Sequence, residues 1–201
     1  MDRVPQPGRI VKTVARAGGV TEWTLSNGAT VVLQPTTLRV DQVLFRAVAP
    51  GGTSLASDAD FIPARVSDDV ISAGGVGSFS AVTLDRLLTG RAVAVRPYMG
   101  EIAHGLLGGS APKDLETLFQ LIHLRFTQPR ADQTAFTAMR SQALALLPNR
   151  TASPDFAFSQ AVNDALGGNH PRRAPESPET VAQWNLPKSL AYYKARFCLL
   201  Y

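Results

Sequence analysis

Cysteine is almost absent from this chain of 201 residues, which contains only Cys198. A single cysteine cannot form a disulfide within the chain, so the sequence says little about a redox compartment. Long apolar runs are missing too, because no stretch approaches the roughly 18 apolar residues of a membrane-spanning helix. Residues 1–20 lack the apolar segment of a secretory signal peptide, although a signal peptide of a longer parent chain would lie on that chain's own N-terminus. We therefore expect no membrane span.

Histidine is nearly as scarce, and its three positions, His104, His123 and His170, are far apart in the sequence. A catalytic zinc site takes three protein ligands, commonly imidazole and carboxylate groups. None of these histidines belongs to an H-x-x-E-H or H-E-x-x-H motif. We therefore predict no metal ligand, with His104 on a sheet face, His123 on a helix flank and His170 in a loop. No catalytic residue is expected either, because Cys198 lies near the chain end without a predicted base.

Positive charge is modest and dispersed, since the net charge is +4 and 16 of the 20 basic residues are arginine. Only Arg172 and Arg173 are adjacent. A nucleic-acid-binding face needs clustered cations, so nucleic acid is not an expected partner. The hydrophobic content of 45% and the charged content of 18% are typical of a globular domain with a full core.

The first third of the chain has the pattern of β-structure. Residues 1–20 contain several prolines and glycines and are predicted to be a linker or extended arm. Strands at 21–26 and 29–34 flank Asn27-Gly28, a dipeptide that favours a two-residue hairpin turn. A third strand is predicted at 40–49, and its nearly continuous apolar run predicts burial on both faces.

The rest of the chain alternates briefly and then becomes helical. Residues 60–73 are predicted to form one helix, whose apolar stripe of Ile62, Val66 and Val70 would pack on a sheet. Two more strands are predicted at 91–97 and 101–109, in one mostly antiparallel sheet with 30–34 and 40–49. Helices follow at 112–126, 132–147 and 153–166, and a final helix contains Leu190, Tyr193 and Phe197. Strands at one end of a domain with helices on one face of the sheet make an α+β fold.

Several stretches in this order resemble the pitrilysin/insulinase-type (inverzincin) zinc metallopeptidases. They are TEWTLSNGATVVLQP, FRAVAPGGTSLASD, GVGSFS, SAPKDLETLFQLIHLRFTQPR and GGNHPRR. The resemblance is strongest to the C-terminal-like half of bacterial PQQ-associated-type zinc proteases. It implies a metallopeptidase half-domain of the LuxS/mitochondrial-processing-peptidase-like kind over 21–201, apparently truncated at its C-terminal end. In the active half of such enzymes the first helix carries H-x-x-E-H, whereas residues 60–71 here contain no histidine.

The resemblance therefore implies a non-catalytic half that forms a chamber wall and peptide contacts. Zn²⁺ is expected in a partner half, on the same chain or on a homologous subunit, and not in this chain. A periplasmic location is expected for a bacterial parent. A stand-alone inactive binding or assembly subunit with the same fold is the alternative, and an enzyme of unrelated chemistry is a weaker third.

Four residues are candidate substrate contacts, each with a simpler interpretation beside it. Gly105 and Gly108 would let a peptide backbone approach a strand closely, or they serve packing and twist alone. His170 and Arg172 would meet an acidic partner or a substrate terminus, or they belong to a solvated loop. Two further acidic sites also have two interpretations each. Asp68-Asp69 is a remnant lining the chamber or a solvated helix face, and Glu116 is a former metal ligand or a helix-surface residue.

Overall fold

The structure is a computed structural model that describes residues 8–168 and 170–197. Cys198, the start of the predicted arm and the predicted truncated end lie outside this range. The chain divides into two compact units, with the boundary between Gln42 and Val43. The assignment of 21–201 to one half-domain stays a prediction.

The first unit is a three-stranded antiparallel sheet in the order β1-β2-β3. Its strands are β1 (Ile10–Ala15), β2 (Thr21–Leu25) and β3 (Thr30–Leu33). The predicted hairpin is present, with Gly28 at φ 84° and the Ala29 amide donating to Asn27 Oδ1 over 3.1 Å. The predicted arm is not merely a linker, because β1 pairs with β2 along most of its length.

The second unit contains the other sheet, in the order β4-β6-β5 with both pairings antiparallel. These strands are β4 (Val43–Pro50), β5 (Val93–Met99) and β6 (Ala103–Ser110). Three of the four segments predicted to share one sheet do so. The prediction for the fourth segment, residues 30–34, was wrong, because the tight turn at Asn27-Gly28 pairs β3 with β2 in the first sheet.

Eight α-helices complete the described part of the second unit, and the predicted α+β class is confirmed. Among the described residues, no helix combines the length and apolar character needed to cross a membrane. The helices are α1 (Phe61–Arg65), α2 (Ser67–Gly74), α3 (Ala81–Leu88), α4 (Leu115–Thr127), α5 (Gln133–Thr151), α6 (Pro154–Gly167), α7 (Pro178–Ala182) and α8 (Leu186–Phe197).

The helix predicted at 60–73 is interrupted at Val66, between α1 and α2. Its predicted stripe does not pack on the sheet, because Val66 and Val70 belong to a cluster with Phe136 and Trp184 between helices. The sheet side of α2 is instead occupied by Ile71, which is fully buried with core residues of the sheet. Since α2 contacts helices and the sheet at once, one apolar stripe could not identify the face that meets the sheet.

The helices cover one face of the second sheet and leave the other exposed. Along β4, half-buried residues alternate strictly with exposed ones, and Leu44 and Val48 are 77% and 59% exposed. The prediction that this strand is buried on both faces was therefore wrong. The covered face packs on α2, α4 and α8 through a core that includes Leu106, Leu118 and Phe197.

Candidate functional site

The uncovered side of the β4-β6-β5 sheet is the candidate site, and we call it the open face. The strand register places the exposed residues of β4 in rows with every second residue of β6 and β5. Side chains in one row point to the same side of the sheet. The open face therefore consists of Leu44, Arg46 and Val48 on β4, Gly105, Leu107 and Gly109 on β6, and Ala94, Arg96 and Tyr98 on β5.

Two arginines lie in the middle row of the open face. Arg46 and Arg96 each pair with Leu107, one from either side, and both are exposed. Among the described residues neither side chain has a hydrogen bond or an ion pair, and the open face carries no aspartate or glutamate. The site thus presents two cations in apolar surroundings. Neither arginine is among the site residues predicted from the sequence, although the position of Arg46 between Leu44 and Val48 was a signal that this face of β4 is not buried.

Gly105 lies on the open face but is covered by a neighbouring side chain. A Cβ atom there would lie 3.0 Å from Tyr98 Cε1 and would overlap the carbonyl oxygen of Ala47. The hydroxyl of Tyr98 donates to that same carbonyl over 3.4 Å. Gly105 therefore has a packing role within the sheet, and peptide contact at this position stays a prediction.

Gly108 lies on the opposite side, in a row with Phe45 and Val95, both of which pack in the core. A Cβ atom there would overlap the carbonyl oxygen of Ala94. The structure thus places the two predicted glycines on different faces of β6. No hydrogen bond or ion pair of the described residues joins either of them to His170 or Arg172.

Arg172 is engaged within the chain by the loop that follows β4. Its Nη2 donates to Ala56 O over 2.8 Å and to Asp58 Oδ1 over 2.7 Å, and its Nη1 donates to Thr53 O over 3.3 Å. His170 is exposed, and its Nδ1 accepts a hydrogen bond from the Arg172 amide over 3.2 Å. The pair therefore lies together, as its spacing predicts, but Arg172 stabilises residues 51–58, which we call the 51–58 loop.

His104 supports the same loop from below the sheet. Its Nδ1 accepts from the Gly52 amide over 3.3 Å, and its Nε2 lies 3.2 Å from the carbonyl oxygen of Arg196. Both contacts are satisfied only by the neutral ring with its proton on Nε2. Burial lowers the pKa of His104, in agreement with a neutral ring. The predicted sheet-face histidine is therefore a structural one, on the covered side.

Asp68 and Asp69 have different environments. Asp69 is exposed on α2, as expected for a solvated helix face. Asp68 Oδ2 instead accepts a hydrogen bond from the Met99 amide over 2.8 Å, at the end of β5. Burial, and to a smaller extent the Asp69 carboxylate, raises the pKa of Asp68 to about 6. Asp68 thus connects the helix to the sheet.

Zinc does not fit the residues present. The helices α1 and α2, where the resemblance to zinc metallopeptidases predicts a metal-binding motif, contain no histidine, and both ring nitrogens of His104 have backbone partners. Glu116 is exposed and accepts a hydrogen bond from Gln120 on its own helix. Across residues 8–168 and 170–197, no three His, Cys, Asp or Glu side chains form a group that could hold a metal ion.

Two curated relatives match the sequence. The probable zinc protease PqqL of Haemophilus influenzae is 27% identical over 125 residues, which is 62% of this chain and 14% of the relative. The zinc protease PQQL-like protein of Arabidopsis thaliana is 27% identical over 169 residues, 82% of this chain and 15% of the relative. This chain therefore spans about a seventh of the length of each. No protein-family profile matches the sequence.

Solved structures share the fold at low identity. The periplasmic protease PqqL from Escherichia coli superposes with a TM-score of 0.76 at 22% identity, over 98% of this chain and 22% of that one. The peptidase M16 inactive domain from Pseudomonas fluorescens gives a TM-score of 0.69 at 17% identity, over 87% of this chain and 42% of that one. Pitrilysin gives 0.64 at 15% identity, over 94% of this chain and 20% of that one.

Proposed function

We propose that this chain, whose relatives and structural neighbours support an inactive half of the pitrilysin/insulinase-type family, forms one wall of a peptide chamber that a zinc-bearing half completes. The observation that carries the proposal is the open face. A three-stranded sheet covered by helices on one side exposes Leu44 and Val48 on the other. A sheet face that leaves apolar side chains uncovered is typical of a surface that contacts another molecule.

The catalytic zinc belongs, in this proposal, to the partner half. The relatives are named zinc proteases, whereas the described residues of this chain offer no ligand set. The bound metal would activate a water for peptide hydrolysis in the partner half. This chain would contribute binding surface only, through the open face and not through a reacting group.

The partner half would belong to the same chain or to a homologous subunit. Support comes from the partial coverage of the longer relatives and neighbours. A periplasmic location is proposed by analogy with the periplasmic protease PqqL from Escherichia coli. The alternative proposal, an independent inactive binding or assembly subunit, keeps the open face as its contact surface but needs no zinc-bearing half.

A restoration experiment tests the proposal. The zinc-bearing half is expressed alone and together with this chain, and cleavage of a quenched fluorescent peptide is measured. Co-expression should raise the rate, and replacing the glutamate of the partner's H-x-x-E-H motif by glutamine should abolish activity in both preparations. If the zinc-bearing half is fully active alone and forms no complex with this chain, the independent subunit becomes the correct interpretation.

A further inference from the structure

We propose that Arg46 and Arg96 form a carboxylate-binding pair, which selects extended peptide segments with an acidic side chain between apolar ones. This inference rests on the proposed peptide-contact function and specifies the class of peptide. It starts from the middle row of the open face, where the two arginines flank Leu107. Neighbouring strands lie about 4.8 Å apart, so the two Cα atoms are separated by about 10 Å.

The two positive charges in this row are complementary to an anionic partner. Two like charges in one row of a sheet, here on either side of β6, repel each other unless a counter-charge lies nearby. Some arginines of the described chain have carboxylate partners, such as Arg150 with Glu176 at 3.0 Å and Arg172 with Asp58 at 2.7 Å, whereas others, such as Arg86, have none. Arg46 and Arg96 have none among the described residues, and the open face itself carries no acidic side chain. A carboxylate placed over Leu107 could accept hydrogen bonds from both guanidinium groups.

The surroundings of the pair specify the neighbours of that carboxylate. Leu44 and Val48 lie two residues before and after Arg46 on the same face, and both are largely exposed. A peptide in extended conformation also presents every second side chain to one side. On β6, the partners of Leu44 and Val48 lie two residues to either side of Leu107. A segment that runs above β6 with its acid over Leu107 therefore matches the pattern apolar-x-acid-x-apolar. Covering the apolar residues would exclude water from the pair and strengthen its ion pairing.

Peptide binding to the full 201-residue chain tests this inference. Fluorescein-labelled dodecamers with the core Leu-Ser-Glu-Ser-Leu, and matched peptides with glutamine or lysine in place of glutamate, are titrated by fluorescence anisotropy. Two charge-assisted contacts of moderate strength predict that the glutamate peptide binds about tenfold more tightly than the glutamine peptide. The preference should weaken as salt is raised. The lysine peptide should bind most weakly.

Variants separate local recognition from overall charge. Arg46→Gln and Arg96→Gln should each reduce the preference for glutamate, and the double variant should remove it. Arg86→Gln is the matched control, because Arg86 is exposed on α3 and its removal lowers the net charge equally. Equal thermal unfolding of all variants would show that folding is intact.

Three results would overturn the inference. One is equal or no binding of the three peptides, and another is a loss of affinity in Arg86→Gln as large as in the Arg46 and Arg96 variants. The third is a single-stranded oligonucleotide that displaces the labelled peptide better than unlabelled glutamate peptide, which would assign the pair to phosphate. Failure of the proposed function is a separate outcome. A chain that selects acidic peptides but never restores the zinc-bearing half would keep this inference and reject the chamber.

Discussion

The guanidinium carbon of Arg172 lies 4.9 Å from the centroid of the Phe61 ring, across 111 residues of sequence. The same guanidinium group donates to two backbone carbonyls of the 51–58 loop and to Asp58. Arg172 therefore joins the segment after α6 to the loop after β4 and to the start of α1. Arg172 is thus engaged within the chain, and its contact with a substrate stays a prediction.

Replacing Arg172 should destabilise the protein. Arg172→Ala removes the side-chain donor to Ala56 O, one of the two donors to Thr53 O and the contact with Phe61, so the free energy of unfolding should fall by about 1–3 kcal/mol. Arg173→Ala is the control, since Arg173 is exposed and its removal should change stability by less than about 0.5 kcal/mol. Urea unfolding followed by circular dichroism measures both. Equal stability of the two variants would contradict the structural role.

Asp68→Asn should change the dependence of stability on pH. The pKa of Asp68 is raised from 3.8 to about 6 in the fold, so the folded chain keeps a proton there that the unfolded chain loses. The contribution of Asp68 is therefore fully present below about pH 4 and is lost as the pH rises through about 6. Relative to the natural chain, Asp68→Asn should gain about 1–3 kcal/mol between pH 4 and pH 8.

Unfolding in urea at a series of pH values measures this effect. Asp69→Asn is the matched control, because Asp69 is exposed and acts on Asp68 only as a secondary cause of its raised pKa. The stability difference between Asp69→Asn and the natural chain should change much less with pH than the difference between Asp68→Asn and the natural chain. A stability difference between Asp68→Asn and the natural chain that is constant with pH would refute the prediction.

The pKa of His104 should lie below that of a free histidine, and the side chain should contribute to the stability of the fold. Its pKa is lowered from 6.5 by burial, so its contribution to stability is present above about pH 6.5 and is lost as the pH falls. His104→Phe removes partners of the Gly52 amide and the Arg196 carbonyl and should cost about 2–4 kcal/mol. His123→Phe on α4 is the control. An NMR titration that gives His104 a pKa at or above 6.5 would contradict the prediction.

Gly105→Ala should destabilise the sheet even when no ligand is present. The added Cβ would overlap the carbonyl oxygen of Ala47, so a strand must shift at a cost of about 1–3 kcal/mol. Gly8→Ala is a suitable control, because nothing lies within 4 Å of a Cβ at that position. Thermal unfolding of both variants measures the difference. Unchanged stability of Gly105→Ala would return this glycine to the list of sites free to contact a peptide.

Zinc should not bind this chain tightly. The prediction follows from the lack of a ligand set in α1 and α2 and from the two backbone partners of His104. After washing with a chelator and repletion with zinc, elemental analysis should find far less than one zinc per chain. A one-to-one site that resists dialysis, or peptidase activity of the pure chain that a chelator removes, would show the prediction to be wrong.

The types of the local elements and the lack of a zinc-binding histidine motif can be inferred from the amino-acid sequence alone. The Asn27-Gly28 turn, the helix cap at Asp132 and the loss of histidine from the first helices are local properties, readable from adjacent residues. With the order of the predicted strands and helices such signals predict the α+β class, and the stretches quoted above together with the missing histidines carry the resemblance to an inactive half. Local signals sufficed there because turn and cap geometry depends on a few neighbouring residues.

Which face each element buries, and which side chains meet, follows instead from the packing of distant segments. The sequence placed Val66 and Val70 against the sheet, whereas α2 is covered on two sides and Ile71 occupies that position. The nearly continuous apolar sequence of β4 did not reveal that its buried and exposed residues alternate. The row of Arg46, Leu107 and Arg96 forms only through the register of three strands. Arg172 and Phe61 likewise meet only in the fold. Strand register and long-range contacts depend on packing between distant segments, which no local pattern contains.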